Sequence, residues 1–322
     1  MQVLLGTYTK KDSKGIYSLE LDDNRKECKE YVHYLSIKNP TYITASGANI
    51  FSVCSENDKG GIAHFKNGVL ISKVLNQKTT PCYVSYNQNQ QLVFTANYHQ
   101  GMINSYRFVH DQLVSHQKIE YPEGSRAHYI KTIKDVNTTF VCDLGLDKVY
   151  AYTIDENKKL QLKQTLDFDK GSGPRHLVSH PTKAYLYVLS ELTYEVYTIS
   201  YNKEFEIISK ISANPSQETH NQHGAAIRVS EDGKFLYTSN RADHSISVFK
   251  IIEDGSLQLI QHVSVHGDHP RDFDISPNQK YILVANLNSD NCTLFERDSY
   301  SGKLTLLQKD IFAHEPVCVL FK

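Results

Sequence analysis

The chain has no apolar run long enough to cross a bilayer. Its longest, Val3-Leu4-Leu5 and Tyr281-Ile282-Leu283-Val284-Ala285, are strand-sized, against the roughly 20 residues a membrane helix needs. It also lacks an excess of either charge: 35 basic and 36 acidic residues leave a formal net charge of −1. Nothing in the bulk electrostatics therefore calls for nucleic acid or an anionic membrane, and any charge recognition must be local. Met1-Gln2-Val3-Leu4-Leu5-Gly6 lacks the basic start and long apolar stretch of a secretory signal, so the expected location is the cytoplasm. The six cysteines are scattered without a C-x-x-C pair, which argues against a zinc ribbon or redox couple and leaves them as small buried hydrophobes. Long amphipathic helices are missing as well.

What is present is a repeat. Tyr (21) and Phe (13) recur with β-branched residues in short runs broken by Asn, Asp, Gly and Pro, the pattern of many short strands. Ala226-Ile227-Arg228-Val229-Ser230, a turn, Phe235-Leu236-Tyr237-Thr238-Ser239-Asn240, a second turn and Ile246-Ser247-Val248-Phe249 match the stretch that follows. There the counterparts are Arg271-Asp272-Phe273-Asp274-Ile275-Ser276, Tyr281-Ile282-Leu283-Val284-Ala285-Asn286 and Cys292-Thr293-Leu294-Phe295. With the last strand position before the turn as a marker, the units fall at Thr7, Glu56, Asn97, Asp143, Glu191, Asn240 and Asn286, spaced by 49, 41, 46, 48, 49 and 46 residues. Seven units of this length predict an all-β fold, a seven-bladed propeller of four-stranded antiparallel blades, filling residues 1–322 as a single domain. The first unit lacks its opening strand, while Pro316-Val317-Cys318-Val319-Leu320-Phe321 reads as an opening strand with nothing after it. Pairing the two closes the ring and removes its open edges.

In such a blade the loop before the first strand and the loop after the second share one face. That face collects Ser125-Arg126-Ala127-His128, Pro174-Arg175-His176, His220-Asn221-Gln222-His223 and His269-Pro270-Arg271 from the first set of loops. The second set adds Tyr98, His99, Glu191, Arg241 and Asn288. The opposite hairpins, Glu231-Asp232-Gly233-Lys234 and Pro277-Asn278-Gln279-Lys280, read as solvated turns. Blander roles compete at several positions. Arg175 could bridge to Glu191 for structure alone. His176 is as suited to packing as to chemistry, and His180, beside Pro181, belongs to the far face. His220 and His223 could be merely solvated, and Asp143 and Asp147 suit backbone capping around a Leu-Gly-Leu turn.

Gly171-Ser172-Gly173-Pro174-Arg175-His176-Leu177, followed by Ser190-Glu191-Leu192, resembles the Gly-x-Gly-Pro-Arg-His signature of the seven-bladed propeller lactonases. This family includes propeller-type 6-phosphogluconolactonases and the carboxymuconate-lactonizing enzyme. Cys142-Asp143-Leu144-Gly145-Leu146-Asp147-Lys148, Leu236-Tyr237-Thr238-Ser239-Asn240-Arg241 and His269-Pro270-Arg271-Asp272-Phe273 also match. The resemblance covers essentially the whole chain. It implies a lactone substrate, opened by hydrolysis or formed by the reverse cyclisation, with 6-phosphogluconolactone and the pentose phosphate pathway as the expected setting. It further implies a catalytic His, Arg and Glu at His128, Arg175 and Glu191. Hydrolysis needs a base for water, a cationic donor for the carbonyl oxygen and positive charge for an anionic group. On that basis His128 or Glu191 is expected as base and Arg175 at the carbonyl, with Arg241, Arg271, His176 and His223 binding substrate.

One departure stands out: many members of that family carry Glu in the run before Ile-Arg-Val-Ser, where this chain has Ala226. Two other readings follow, a cycloisomerase and a binding module without catalysis. A third, a metal-dependent lactonase, would use the oxygens of the marker residues Glu56, Asn97, Asp143, Glu191, Asn240 and Asn286. Three nearby arginines oppose a cation, so no cofactor or metal is expected. The expected partner is an anionic sugar lactone, with neither nucleic acid nor membrane, and the oligomeric state stays open between monomer and dimer.

Overall fold

The computed structural model describes residues 1–133, 136–201, 204–216 and 222–322. It is a ring of seven four-stranded antiparallel sheets, each ordered from axis to rim as in Pro174–Ser179, Tyr185–Ser190, Glu195–Ser200 and Glu206–Ser212. The burial of each strand follows its place in the ring. Second strands such as Leu92–Asn97, Phe235–Asn240 and Tyr281–Asn286 are buried at every position, because both faces of the blade pack against neighbouring blades. Outermost strands alternate, as Glu206–Ser212 does, since one edge faces water.

Ring closure is as the sequence indicates. Pro316–Phe321 pairs antiparallel with Gln2–Thr7, with Leu5 opposite Val319 and Val3 opposite Phe321. Around this seam Val3, Leu5 and Leu19 share a core with Tyr281, Leu283, Leu294 and Val319. A polar lock backs the apolar one. The Asp272 carboxylate accepts the Val319 amide at 3.1 Å and the Arg228 guanidinium at 3.0 Å, and Asp274 accepts Arg228 at 3.1 Å and the Phe321 amide at 3.3 Å. Blades six, seven and one are thereby tied at the axis.

Five of the seven marker residues do not line an opening. Thr7, Asn97, Asp143, Asn240 and Asn286 are fully buried and cap their own loops. Asp143, for instance, accepts the amides of Arg126, Gly145 and Leu146 and the Ser125 hydroxyl. In blade five the register places Ser190, opposite Pro174, at this position. Glu191 lies one residue further on, which corrects the marker series and decides what Glu191 can do.

Candidate active site

Two rings of side chains surround the axis on one face. The lower ring comes from a recurrent irregularity in the innermost strands. Their pairing slips between Ala127 and Tyr129, Pro174 and His176, Gly224 and Ile227, and Pro270 and Asp272. The slip leaves His128, Arg175, Ala225 and Arg271 out of the ladder, and a bulge of this kind re-aims the side chain it releases. Thr41, Cys82 and Val317 hold the matching place after Pro40, Pro81 and Pro316. The upper ring is set by a repeated backbone clamp. The amides of Tyr8, Leu144, Glu191, Arg241 and Leu287 donate to the carbonyls of Glu315, Arg126, Gly173, His223 and His269 at 2.7–3.2 Å.

Gly173 must be glycine for this clamp. Its φ is 67°, and a Cβ there would come within 2.9 Å of Leu192 and 3.1 Å of Leu144. The Asp147 carboxylate holds the same loop through the Gly171 and Gly173 amides at 2.7 and 2.8 Å. The Gly-x-Gly turn thus positions both Arg175 and Glu191.

Glu191 is the hub. One carboxylate oxygen, Oε2, accepts Arg175 Nε at 2.9 Å and Arg241 Nη2 at 2.8 Å. Its other oxygen, Oε1, has no partner among the described residues. Burial alone would push this carboxyl up, but the guanidiniums of Arg241 and Arg175 outweigh it and hold the group below the usual carboxylate range. Arg175 is 2% exposed and bonded also to the Ala225 carbonyl and, at 3.2 Å, to His176 Nε2. Burial, then the neighbouring Arg241, lowers its pKa to about 10. Arg241 also donates from Nε to the His223 carbonyl and from Nη2 to the Gly224 carbonyl. Arg271 has no hydrogen bond or ion pair among the described residues and lies 5.8 Å from the Tyr8 ring.

These groups meet at a cavity of about 670 Å³ whose wall includes His128, Glu191, Arg241, Arg271, Tyr8 and Tyr98. His128 is buried, and burial first, then Arg175, Arg271 and Arg241, drives its pKa well below the ordinary value. The imidazole is therefore neutral at physiological pH. Beneath it the rings of Tyr42, Tyr83, Tyr129 and His176 plug the axis, with centroids 4.2–6.0 Å apart.

The structure thus brings His128, Glu191, Arg241 and Arg271 to one cavity. Arg175 lies outside the lining of that cavity and holds Glu191. His176 is in the aromatic plug, outside the lining of that cavity. His223 has an exposed side chain outside the cavity wall and contributes its carbonyl to Arg241. His220 falls outside the described residues. His180 caps a far-face turn through Gly233, Thr182 and Lys183.

Ala226 faces the core between blades six and seven, with Val248, Phe273 and Val284, so alanine there removes no carboxylate from the cavity. The oxygen ring drawn from the marker residues does not form, and among the described residues no group of three His, Cys, Asp or Glu is placed to hold a metal. A Ser247–His262–Asp243 relay, at 2.8 and 3.1 Å, mimics a hydrolytic triad. Its Ser247 is fully buried and bonded to the Ala213 carbonyl, so it is structural. Sequence reasoning missed Tyr8, Lys10, Lys38, Lys59 and Lys78 on the cavity wall.

One cavity at the axis of a seven-bladed propeller thus combines a neutral imidazole, a half-engaged carboxylate and an unpaired guanidinium. The chain belongs to the seven-bladed β-propeller lactonase family, whose model matches residues 2–321. It is 35% identical to a 6-phosphogluconolactonase of Bacillus subtilis, over 98% of this chain and 97% of that protein. A Lactobacillus plantarum structure is similar at TM-score 0.94 and 38% identity, covering 99% of this chain and 98% of that one. A Pseudomonas aeruginosa structure described as a periplasmic gluconolactonase is similar at TM-score 0.91 and 25% identity, covering 99% and 98%. Among the described residues no helix is long and apolar enough to cross a membrane.

Proposed function

We propose that the protein hydrolyses a sugar lactone, 6-phosphogluconolactone, to 6-phosphogluconate, as a cytoplasmic step of the pentose phosphate pathway. The observation that carries this reading is the meeting of neutral His128, the free Oε1 of Glu191 and unpaired Arg271 around one cavity. His128 accepts a proton from water as the water oxygen bonds to the lactone carbonyl carbon. Glu191 Oε1 accepts the second water hydrogen and orients the attack. Charge on the former carbonyl oxygen is met by Arg271. Collapse of the tetrahedral intermediate breaks the ring C–O bond, and the imidazolium, acidic for the same reasons that His128 is hard to protonate, returns its proton to the departing ring oxygen. Arg175 does not touch substrate here; together with Arg241 it fixes Glu191. The Bacillus subtilis relative supports the substrate.

Lactones open spontaneously, so the test is a coupled assay of purified protein on 6-phosphogluconolactone, read as rate over background, with and without chelator. A rate well above background that chelator leaves intact is expected. A rate equal to background sinks the reading, and a rate abolished by chelator transfers the chemistry to a metal.

A further inference from the structure

The cavity is polarised in a way the reaction chemistry alone does not require. The groups assigned to bond making come from blades four to seven. The wall across the axis, from blades one to three, carries Lys10, Lys38, Lys59 and Lys78. All four are exposed, and none enters an ion pair among the described residues. Lysines close by in sequence behave differently: Lys11 pairs with Asp290 at 2.9 Å and Lys73 with Glu56 at 2.9 Å. Against these four the same wall carries one carboxylate, Asp58, so an excess of positive charge remains there, and an anion relieves it.

The backbone beneath them is anchored. The amides of Lys10 and Lys11 donate to the Glu315 carboxylate at 2.8–3.3 Å, and those of Lys78 and Thr79 to Gln100 Oε1 at 2.8 and 3.2 Å. Gly60, next to Lys59, sits so close to Thr79 that a Cβ would lie 1.9 Å from its carbonyl oxygen. Segments from three blades are thus fixed while their ammonium groups remain available. Lys10 Nζ also lies 4.4 Å over the Tyr8 ring, whose other neighbour is Arg271, so the lysine wall runs continuously to the reacting end.

We infer that this lysine arc is a phosphoryl subsite and that Lys38 and Lys78 set the preference for a phosphorylated over an unphosphorylated lactone. The inference rests on the lactonase reading above. It moves the remote anion away from Arg241, whose Nε and Nη2 are engaged by Glu191, His223 and Gly224. In an aldonolactone phosphorylated on its terminal carbon, carbonyl and phosphoryl group lie at opposite ends, matching the two walls. Lysine suits this task because its compact ammonium meets a phosphate dianion from any direction, without the fixed fork of arginine.

The test compares kcat/KM for 6-phosphogluconolactone with that for gluconolactone, and calorimetric binding of the two open-chain products. For Lys38→Ala/Lys78→Ala, the phosphorylated-to-unphosphorylated ratio is expected to fall about tenfold or more, since each charge-assisted hydrogen bond lost is worth about that much. Lys38→Arg/Lys78→Arg, which keeps the charge, is expected to stay within about threefold of the wild type, a difference under 1 kcal/mol. The inference is overturned if the wild type shows no preference, or if the alanine pair leaves the ratio within about twofold of the wild type. If neither lactone is hydrolysed above background, the functional reading fails, and the arc is judged on product binding alone, by the same ratios.

Discussion

At the scale of single residues, electrostatics does most of the site building. Glu191 is an anion clasped by two largely buried guanidiniums, and removing its charge leaves both of them without a counter-ion. Glu191→Gln is expected to cost about 3–5 kcal/mol of stability in urea unfolding, together with most activity; unchanged stability would show that the clasp is not a buried ion pair. The histidines act in the opposite sense. His128 and His176 are pushed well below 6.5, and His269 is lowered to about 4, by burial and then by the nearby arginines. Between 6.5 and those depressed values the unfolded chain binds more protons than the folded one. Stability is therefore expected to fall as pH drops from about 6.5 toward 4, without reaching its minimum before the folded-state histidines protonate. For the same reason the acid limb of kcat/KM should lie below pH 6.5. A midpoint at or above 6.5 would remove His128 as the base.

At the scale of the element, the bulge in the innermost strand turns a repeated scaffold into a site. Blades four, five and seven use the freed position for His128, Arg175 and Arg271, whereas blade six has Ala225 and blade one Val317. The closing strand has its own device in Asp272. Asp272→Ala would leave Arg228 with Asp274 alone and the Val319 amide unpaired, and is expected to cost about 3 kcal/mol. Removal of residues 314–322 should unfold the ring, and a truncated protein melting like the full chain would contradict closure. The strands themselves were legible in the sequence, because turn residues punctuate each run and the marker asparagines repeat. The bulge was not, since slipped pairing leaves no composition signal. That is why Glu191 was taken for a marker when Ser190 holds that place. One cue was available: Thr41, Cys82, Arg175, Arg271 and Val317 each follow a proline at, or two to three residues before, the start of an inner strand.

At the scale of the whole molecule, the ring converts positions far apart in sequence into two facing walls. His128, Arg175, Glu191, Arg241 and Arg271 could be gathered from the sequence because each sits at a predictable end of a strand on one face. The lysine wall could not. Lys10, Lys38 and Lys78 lie in loops and Lys59 at the start of a strand, positions that share no place in the repeat. The cavity walls also explain why net charge was uninformative: in a chain of charge −1, Lys10, Lys38, Lys59, Lys78, Arg241 and Arg271 meet at one mouth. The most direct measurement of the account is the lactone-opening rate over background at neutral pH for the wild type, His128→Ala and Arg175→Ala. A wild-type rate well above background, lowered about 100-fold or more in His128→Ala through loss of the base and strongly in Arg175→Ala through misplacement of Glu191, is the expected result. Full activity in both variants would contradict it.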